Sequence, residues 1–421
     1  MRLFHGLIAA GVLAGSAMTA TAVAETVYDC DKCKVIIEDN GSVKIRDANG
    51  KLIPGMPPVL FAPTKPIPAM AAPLSDFAVP PPPETKRTVN VCHGDVAPDC
   101  VDSIERALKK HPGSGLHIRV HCGSYQGNTV DLRRRSNIWI EGLPCADGGL
   151  PVIALDGQKN AWVEFSPMGG PPISNLRVEK LQITGPGERK AAIRLNGSGP
   201  MVVKDVVIEN QQNGIFVTER ASGDVWVVNS RFDMNGHGRA GKQHHVYASC
   251  KSEDCRLYVI NSRFGGLYSA KGKDCSNQVR VRAREAYVLN SIFDARTGCV
   301  SRSLNTSPQN HRLVVRNSVF IQGNTENSQI MMTPMGGDTA GELVLENSVV
   351  VSQRDRFARV IGVLAKSQIR LTDVTIFAKS GCSDGHCIFT KQLDPAQVQT
   401  YEKVRIVDSP GDLPKQVREL L

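Results

Sequence analysis

The chain has 421 residues, with 50 Lys and Arg against 41 Asp and Glu, and its formal net charge of +9 favours an anionic partner. No segment approaches the ~20 uninterrupted apolar residues that a membrane-spanning helix needs, so insertion of the mature chain into a membrane is not expected. Aromatics make up only 5% while Gly numbers 38, a balance that suits thin layers with many corners better than one bulky core.

Residues 1–24 read as a secretory signal. Arg2 supplies a short basic start, Leu7 to Ala17 a largely apolar stretch, and Ala22-Val23-Ala24 a small-residue cleavage site. A secreted or periplasmic protein is expected. Glu25 rather than cysteine follows the cut, which gives no sign of a lipid anchor. Export also takes the chain away from nucleic acid, and no basic-aromatic binding fold is apparent. All 12 cysteines follow the cleavage site, an even count that fits a compartment where disulfides persist. Cys30 with Cys33, Cys92 with Cys100, Cys250 with Cys255, and Cys382 with Cys387 are close pairs. Cys122 with Cys145 and Cys275 with Cys299 are spaced to staple neighbouring layers. The Cys30-Asp-Lys-Cys33 run lacks a second such motif and thioredoxin-like flanks, so a local disulfide is expected over zinc or redox chemistry.

Residues 25–53 form a small Cys-x-x-Cys segment, with a hairpin turning at Asp39-Asn40-Gly41 and again at Asn49-Gly50. Residues 54–87 are proline-rich, end in Pro80 to Pro83, and predict an extended linker without a core. The globular domain then runs over 88–421. Val101, Ile104, Ala107 and Leu108 have helical spacing, and a helix from Asp99 to His111 would cover the open edge of a first layer.

From Val225 to Asn347 one phrase is written five times. It reads Val-Trp-Val-Val-Asn-Ser-Arg-Phe to Phe232, then Leu-Tyr-Val-Ile-Asn-Ser-Arg-Phe to Phe264 and Ala-Tyr-Val-Leu-Asn-Ser-Ile-Phe to Phe293. Leu-Val-Val-Arg-Asn-Ser-Val-Phe to Phe320 and Leu-Val-Leu-Glu-Asn-Ser-Val-Val to Val350 complete the set. Asn229, Asn261, Asn290, Asn317 and Asn347 are thus 32, 29, 27 and 30 residues apart. Unrelated hairpins would recur at roughly 8 to 12 residues. The longer step predicts one coil of a solenoid, with each asparagine at a left-handed corner and a ladder of asparagine amides along the axis. Weaker coils at Leu176 to Ile183, Val202 to Ile208, Ile369 to Ile376 and Lys403 to Val407 extend it. A helix-like C-terminal segment is placed to cap the far end.

The order of the expected first helix, His117-Ile-Arg-Val-His121, Gly123-Ser-Tyr125 and Ile138-Trp-Ile140-Glu-Gly142, together with the Asn-Ser coils, resembles right-handed parallel β-helix proteins of the pectate lyase-like superfamily. The resemblance covers roughly residues 88–408. It implies an all-β solenoid with an N-terminal capping helix, and leaves the reaction open because the fold hosts many activities.

After each corner comes a second alternating run: Val163-Glu-Phe165, Ile193-Arg-Leu195, Ile215-Phe-Val217, Val246-Tyr-Ala248, Val279-Arg-Val281, Ile330-Met-Met332, Val360-Ile-Gly362 and Ile388-Phe-Thr390. Alternation predicts an outward stripe of Glu164, Arg194, Phe216, His245, Tyr247, Arg280, Arg282 and Met331. Its densest part resembles a bacterial set of exported β-helix proteins carrying His-x-x-Tyr, Lys-Ser-Arg-Ala, Asp-x-Pro-Asn-Gly-Gly and Glu-Asn-Ser. His244 to Tyr247, Arg282-Ala283 and Glu326-Asn327-Ser328 are kept. Arg280 replaces the lysine, and Leu304-Asn305-Thr306-Ser307-Pro308 replaces the acidic segment.

That resemblance implies an acidic polysaccharide as partner. Elimination from a uronate needs its carboxylate neutralised and a base for the adjacent carbon acid. Arg280 and Arg282 are assigned to the first task and His245 or Tyr247 to the proton transfers, with His244, Arg194, Phe216 and Asn305 as further contacts. Arginine hardly ever releases its proton, and Asn305 has no carboxylate. A non-catalytic carbohydrate-binding or envelope-structural protein is therefore the alternative to a lyase. No cofactor or metal is expected, since calcium would need several oxygen ligands where the stripe offers guanidinium. A monomer is expected.

Overall fold

The structure, a computed structural model, describes residues 77–93, 100–155, 161–167, 173–185, 191–237, 243–268, 275–307, 310–324, 327, 329–334, 341–364, 367–382, 387–391 and 399–421, and the backbone of strands at 26–30, 33–37 and 43–47. The chain divides into compact units at 1–60 and 61–421. In the first, Thr26–Cys30, Cys33–Ile37 and Val43–Asp47 form a three-stranded antiparallel sheet. The expected turn at Asp39-Asn40-Gly41 lies outside the described residues. The Cys30–Cys33 bridge and the Asn49-Gly50 turn lie outside the described residues, as does the leader.

The second unit is a right-handed parallel β-helix with very little α-helix. Each strand pairs in parallel with its equivalent one coil away, giving a ten-stranded sheet and a 21-stranded sheet that bends around a corner into two faces. That corner is the repeated Asn-Ser. Asn229, Asn261, Asn290, Asn317 and Asn347 all have φ between 46 and 50°, and Lys180, Asp205, Asp373 and Lys403 take the same left-handed conformation on the coils before and after. The strand enters the corner with its amides already committed to the next coil, as in Asn229 N–H to Ile260 O at 2.9 Å and Asn261 N–H to Leu289 O at 3.0 Å.

The serines, rather than the asparagine amides, form the ladder. Ser262 Oγ accepts from Ser230 N–H (3.2 Å), Ser291 Oγ from Ser262 N–H (3.2 Å), Ser318 Oγ from Ser291 N–H (3.1 Å) and Ser348 Oγ from Ser318 N–H (3.2 Å). Each hydroxyl also donates to the carbonyl two residues back, as Ser291 does to Leu289 at 2.8 Å. A buried hydroxyl thus satisfies two backbone groups that the turn would otherwise orphan. Asn229, Asn261 and Asn347 point into solvent.

Inside, Phe232, Phe264, Phe293 and Phe320 stack one per coil, with centroids 5.1, 4.7 and 4.6 Å apart, and all are fully buried. They join one continuous apolar cluster running from Val89 to Cys387. The helix Ile104–Lys110 starts at Ser103, whose hydroxyl accepts from Arg106 N–H, and sinks Ile104, Ala107 and Leu108 into that cluster. Cys122–Cys145 and Cys275–Cys299 are bridged between coils, and Cys92–Cys100, Cys250–Cys255 and Cys382–Cys387 are local bridges, as their spacing suggested.

Two flanking faces carry straps. Phe77 packs on Tyr258 and Tyr287, at 6.1 and 5.4 Å between centroids, over a row that continues through Trp226, and Arg177 donates to Pro80 O at 2.9 Å. The end of the proline-rich stretch therefore lies against the β-helix, because the outward side chains there are aromatic. A cleft of ≈ 200 Å³ remains beside Pro80 to Pro83. At the other end, Leu413 and Val417 pack on Ile292, Val319, Val349 and Phe377. The C-terminal segment thus runs along a flank and contacts several coils at once.

Removing one ring from the internal stack should cost far more than altering a corner asparagine. Phe293→Ala should lower unfolding free energy by about 3–5 kcal/mol, and Ser291→Ala, which orphans the Ser262 amide, by about 1–3 kcal/mol. Asn261→Gly should be nearly neutral because glycine accepts the left-handed turn. Denaturant titration of the three variants checks the order, and a glycine variant as damaged as Phe293→Ala would contradict it.

Candidate functional site

With the other two faces strapped, no comparable apolar packing covers the outer side of the ten-stranded sheet among the described residues. Strict register makes that side a set of columns. Glu164, Arg194, Phe216, Tyr247, Arg280, Asn305 and Met332 occupy successive coils of the central column. Neighbouring strands in a sheet are ~4.8 Å apart, so these side chains are held at a fixed rise.

One edge of the face is polar and tied. Asn196 donates to Ser166 Oγ at 3.0 Å, Thr218 bonds to Asn196, and Ser249 Oγ donates to Val217 O at 2.6 Å. Arg282 follows Ser249 in this column, its amide bonded to Ala248 O at 2.6 Å. The opposite edge holds His244, Asn277, Arg302 and Gln329 on successive coils.

Phe216 and Tyr247 stack at 5.5 Å between centroids. Arg194 lies over the Phe216 ring at 5.9 Å, and Arg280 and Arg282 over Tyr247 at 5.7 and 5.6 Å. Arg194 is also paired with Glu164 at 3.2 Å. Burial holds the Glu164 carboxyl above its ordinary range, with Arg194 opposing the shift. Arg282 has only a loose partner, Glu219 at 3.6 Å, and Glu219 is itself held at 2.7 Å by Lys251. Arg280 makes no hydrogen bond to a described residue, and its Nε is buried and unpartnered. The stripe read from the sequence placed Glu164, Arg194, Phe216, Tyr247, Arg280 and Arg282 on one face, and the structure brings them together there with Asn305 next to Arg280 in register.

Two members of the expected stripe are elsewhere. His245 is fully buried. Its Nδ1 accepts from Asn235 Nδ2 at 3.0 Å and its Nε2 donates to Gly265 O at 3.0 Å, which fixes the tautomer. Its ring faces Phe232 and Phe264 inside the coil. Gln278, one coil on, donates to the same Gly265 carbonyl at 2.6 Å. The chain is still rounding a corner at His245, so the alternation of Val246–Ala248 does not extend back to it, and contact with a ligand in the groove is ruled out. Met331 is likewise buried, in register with Leu304 and Ile361, and Met332 takes the register position next to Asn305.

His244 is also buried, but it lies under the groove, its ring 5.2 Å from that of Tyr247 and edge-on to it. Nδ1 is 3.0 Å from Asn277 O and 3.3 Å from Asn277 N, while Nε2 has no partner among the described residues. Burial pushes both imidazoles down, His244 to about 3 with help from Arg280 and Arg282, and His245 to about 4.

Arg302 and Glu219 were missed by sequence reasoning. Arg302 lies outside the short alternating runs, and its only signal was membership of a basic segment near Asn305. Burial lowers its pKa, and the Arg280 charge lowers it further. Of possible metal ligands among the described residues, Cys92, Cys100 and His121 come close together, but both sulfurs are spent in the disulfide. No helix among the described residues is long and apolar enough to cross a membrane.

The protein is, by its own register, a parallel β-helix with a row of basic and aromatic side chains on the outer face of one sheet. No protein-family model matches the chain, and no curated protein matches it. Among solved structures, the A-module of the mannuronan C-5 epimerase AlgE4 from Azotobacter vinelandii is similar over 73% of this chain and 93% of its own length, at 10% identity and a TM-score of 0.38. A likeness that distant adds nothing to the chemistry of the groove.

The buried imidazoles make stability depend on pH with a definite sign. Their folded pKa values of about 3 and about 4 lie below the ordinary 6.5, so the unfolded chain takes up protons first as pH falls. Their stabilisation is complete above 6.5 and should drain away from there down to about 4 for His245 and about 3 for His244, by several kcal/mol in all. Denaturant midpoints measured across that window should fall steadily, and less steeply in His245→Gln. A flat profile would contradict the burial of neutral rings.

Proposed function

We propose that this chain is an exported, polysaccharide-directed β-helix protein that binds an acidic, uronate-containing polymer along the groove. The observation that carries the reading is the Tyr247 ring with the guanidiniums of Arg280 and Arg282 over it from the next coil, and Phe216 stacked on it from the preceding coil. Sugar rings offer apolar C–H faces to aromatic planes, while guanidinium pairs carboxylate in bidentate fashion. The disulfides fit an oxidising compartment. The proline-rich stretch before residue 77 is proposed as a linker to the small sheet unit.

A lyase reading is favoured by the same ring. In elimination a base takes the proton beside the carboxylate, the electron pair forms a carbon–carbon double bond, and the glycosidic oxygen leaves with a proton. Arg280 or Arg282 would neutralise the carboxylate, and Tyr247 remains as the proton-transfer group now that His245 is enclosed. Asn305, beside Arg280 in the column, offers an amide where a carboxylate base would serve, which favours binding without turnover.

Replacing both Arg280 and Arg282 by Ala should weaken binding to an acidic polymer by roughly ten- to a hundredfold, and added salt should weaken the wild type, since the pairs are half-exposed and screened. Unchanged affinity in the double variant would remove this face as the site. If turnover occurs, the wild type yields the ultraviolet band of an unsaturated uronate, and Tyr247→Phe loses that band while retaining binding. Binding without any band leaves the non-catalytic form of the proposal standing.

A further inference from the structure

Resting on the reading of the groove as an acidic-sugar site, we infer that His244, Arg280 and Arg302 form a carboxylate subsite on one side of the Tyr247 ring, with Arg302 setting the preference for a uronate over its neutral counterpart.

Three observations meet there. Arg280 Nε and His244 Nε2 are buried and lack partners among the described residues, a condition that costs free energy unless an acceptor or donor arrives. Arg302 presents Nε and Nη2 to a single neutral oxygen, Gln329 Oε1, at 3.2 and 3.1 Å. No described carboxylate pairs with Arg280 or Arg302, although many other described guanidiniums have one, such as Arg316 with Glu346 at 2.6 Å and Arg256 with Asp224 at 2.7 Å. Two half-buried cations placed in neighbouring columns repel each other, and the described chain answers them with a ring and an amide oxygen but no opposite charge. An anion of one charge and two oxygens removes that repulsion.

His244 is suited to complete the set because Asn277 offers Nδ1 both an acceptor and a donor, its carbonyl oxygen at 3.0 Å and its amide nitrogen at 3.3 Å. The ring can therefore hold its proton on either nitrogen. In the empty groove Nδ1–H donates to the carbonyl. With an anion present, Nδ1 accepts from the amide and Nε2–H donates outward, with no change in net charge. Gln329 acts as a positioning residue, since its one oxygen holds the Arg302 fork from the far side.

The test compares an oligogalacturonate with the same oligomer after carboxyl reduction, by calorimetry on the full chain. The wild type should bind the acidic oligomer at least tenfold more tightly. Arg302→Gln should cut that preference by about tenfold, leaving affinity for the reduced oligomer and the thermal midpoint unchanged. Arg302→Lys should restore only part, because an ammonium lacks the planar fork. An undiminished preference in Arg302→Gln overturns the subsite while the groove itself stands on the wild-type result. A wild type that binds neither oligomer, nor an oligomannuronate, overturns the groove reading and the subsite with it.

Discussion

Every coil of this protein must hand its backbone hydrogen bonds to the next coil while turning a tight corner, and one left-handed residue per coil meets that demand. Asn229 and its equivalents hold φ near 48°, which keeps the incoming and outgoing strands in parallel register on two faces at once. The following serine then uses one hydroxyl for two backbone groups. Because the rise per coil is fixed by sheet hydrogen bonding, the side chains of the third face come out as ruled columns. The groove inherits its geometry from the corner.

Much of the fold was legible because a solenoid writes its structure into its period. The five Asn-Ser phrases gave both the corner and an inward apolar residue two positions after each serine, and the four of these that are phenylalanines stack on one another. The partnering of the serines was not legible. Asparagine ladders and serine ladders have the same sequence signature here, and the choice turns on whether the corner side chain points out or in. The straps were hidden for a different reason. Phe77 and Val417 look like scattered apolar residues until the outward rows of Trp226, Tyr258 and Tyr287, and of Ile292, Val319 and Val349, are seen to need cover.

The site was half legible. Where apolar residues flank a charge within a strand, as at Val279-Arg280-Val281, parity alone put the arginine outside. At His245 the same parity failed because the residue belongs to the bend before Val246–Ala248, and backbone direction there is set by the corner. Arg302 escaped because the strand Val300–Thr306 pairs with its neighbour through a register shift between Ser276 and Asn277. Such irregularities move a side chain sideways by a column and leave no trace in hydrophobic periodicity.

The polar residues enclosed with the phenylalanine stack have a consequence for the order of the coils. Apolar layers of similar size are nearly interchangeable, and a chain built only of them could dock one coil too early or too late with little penalty. Asn235, His245 and Gln278 interlock through the Gly265 carbonyl and the Asn235 amide, so a chain threaded one coil out of step would bury an imidazole against hydrocarbon with both nitrogens unanswered. These residues act as the notches of a key, admitting one threading of the repeats and rejecting its neighbours.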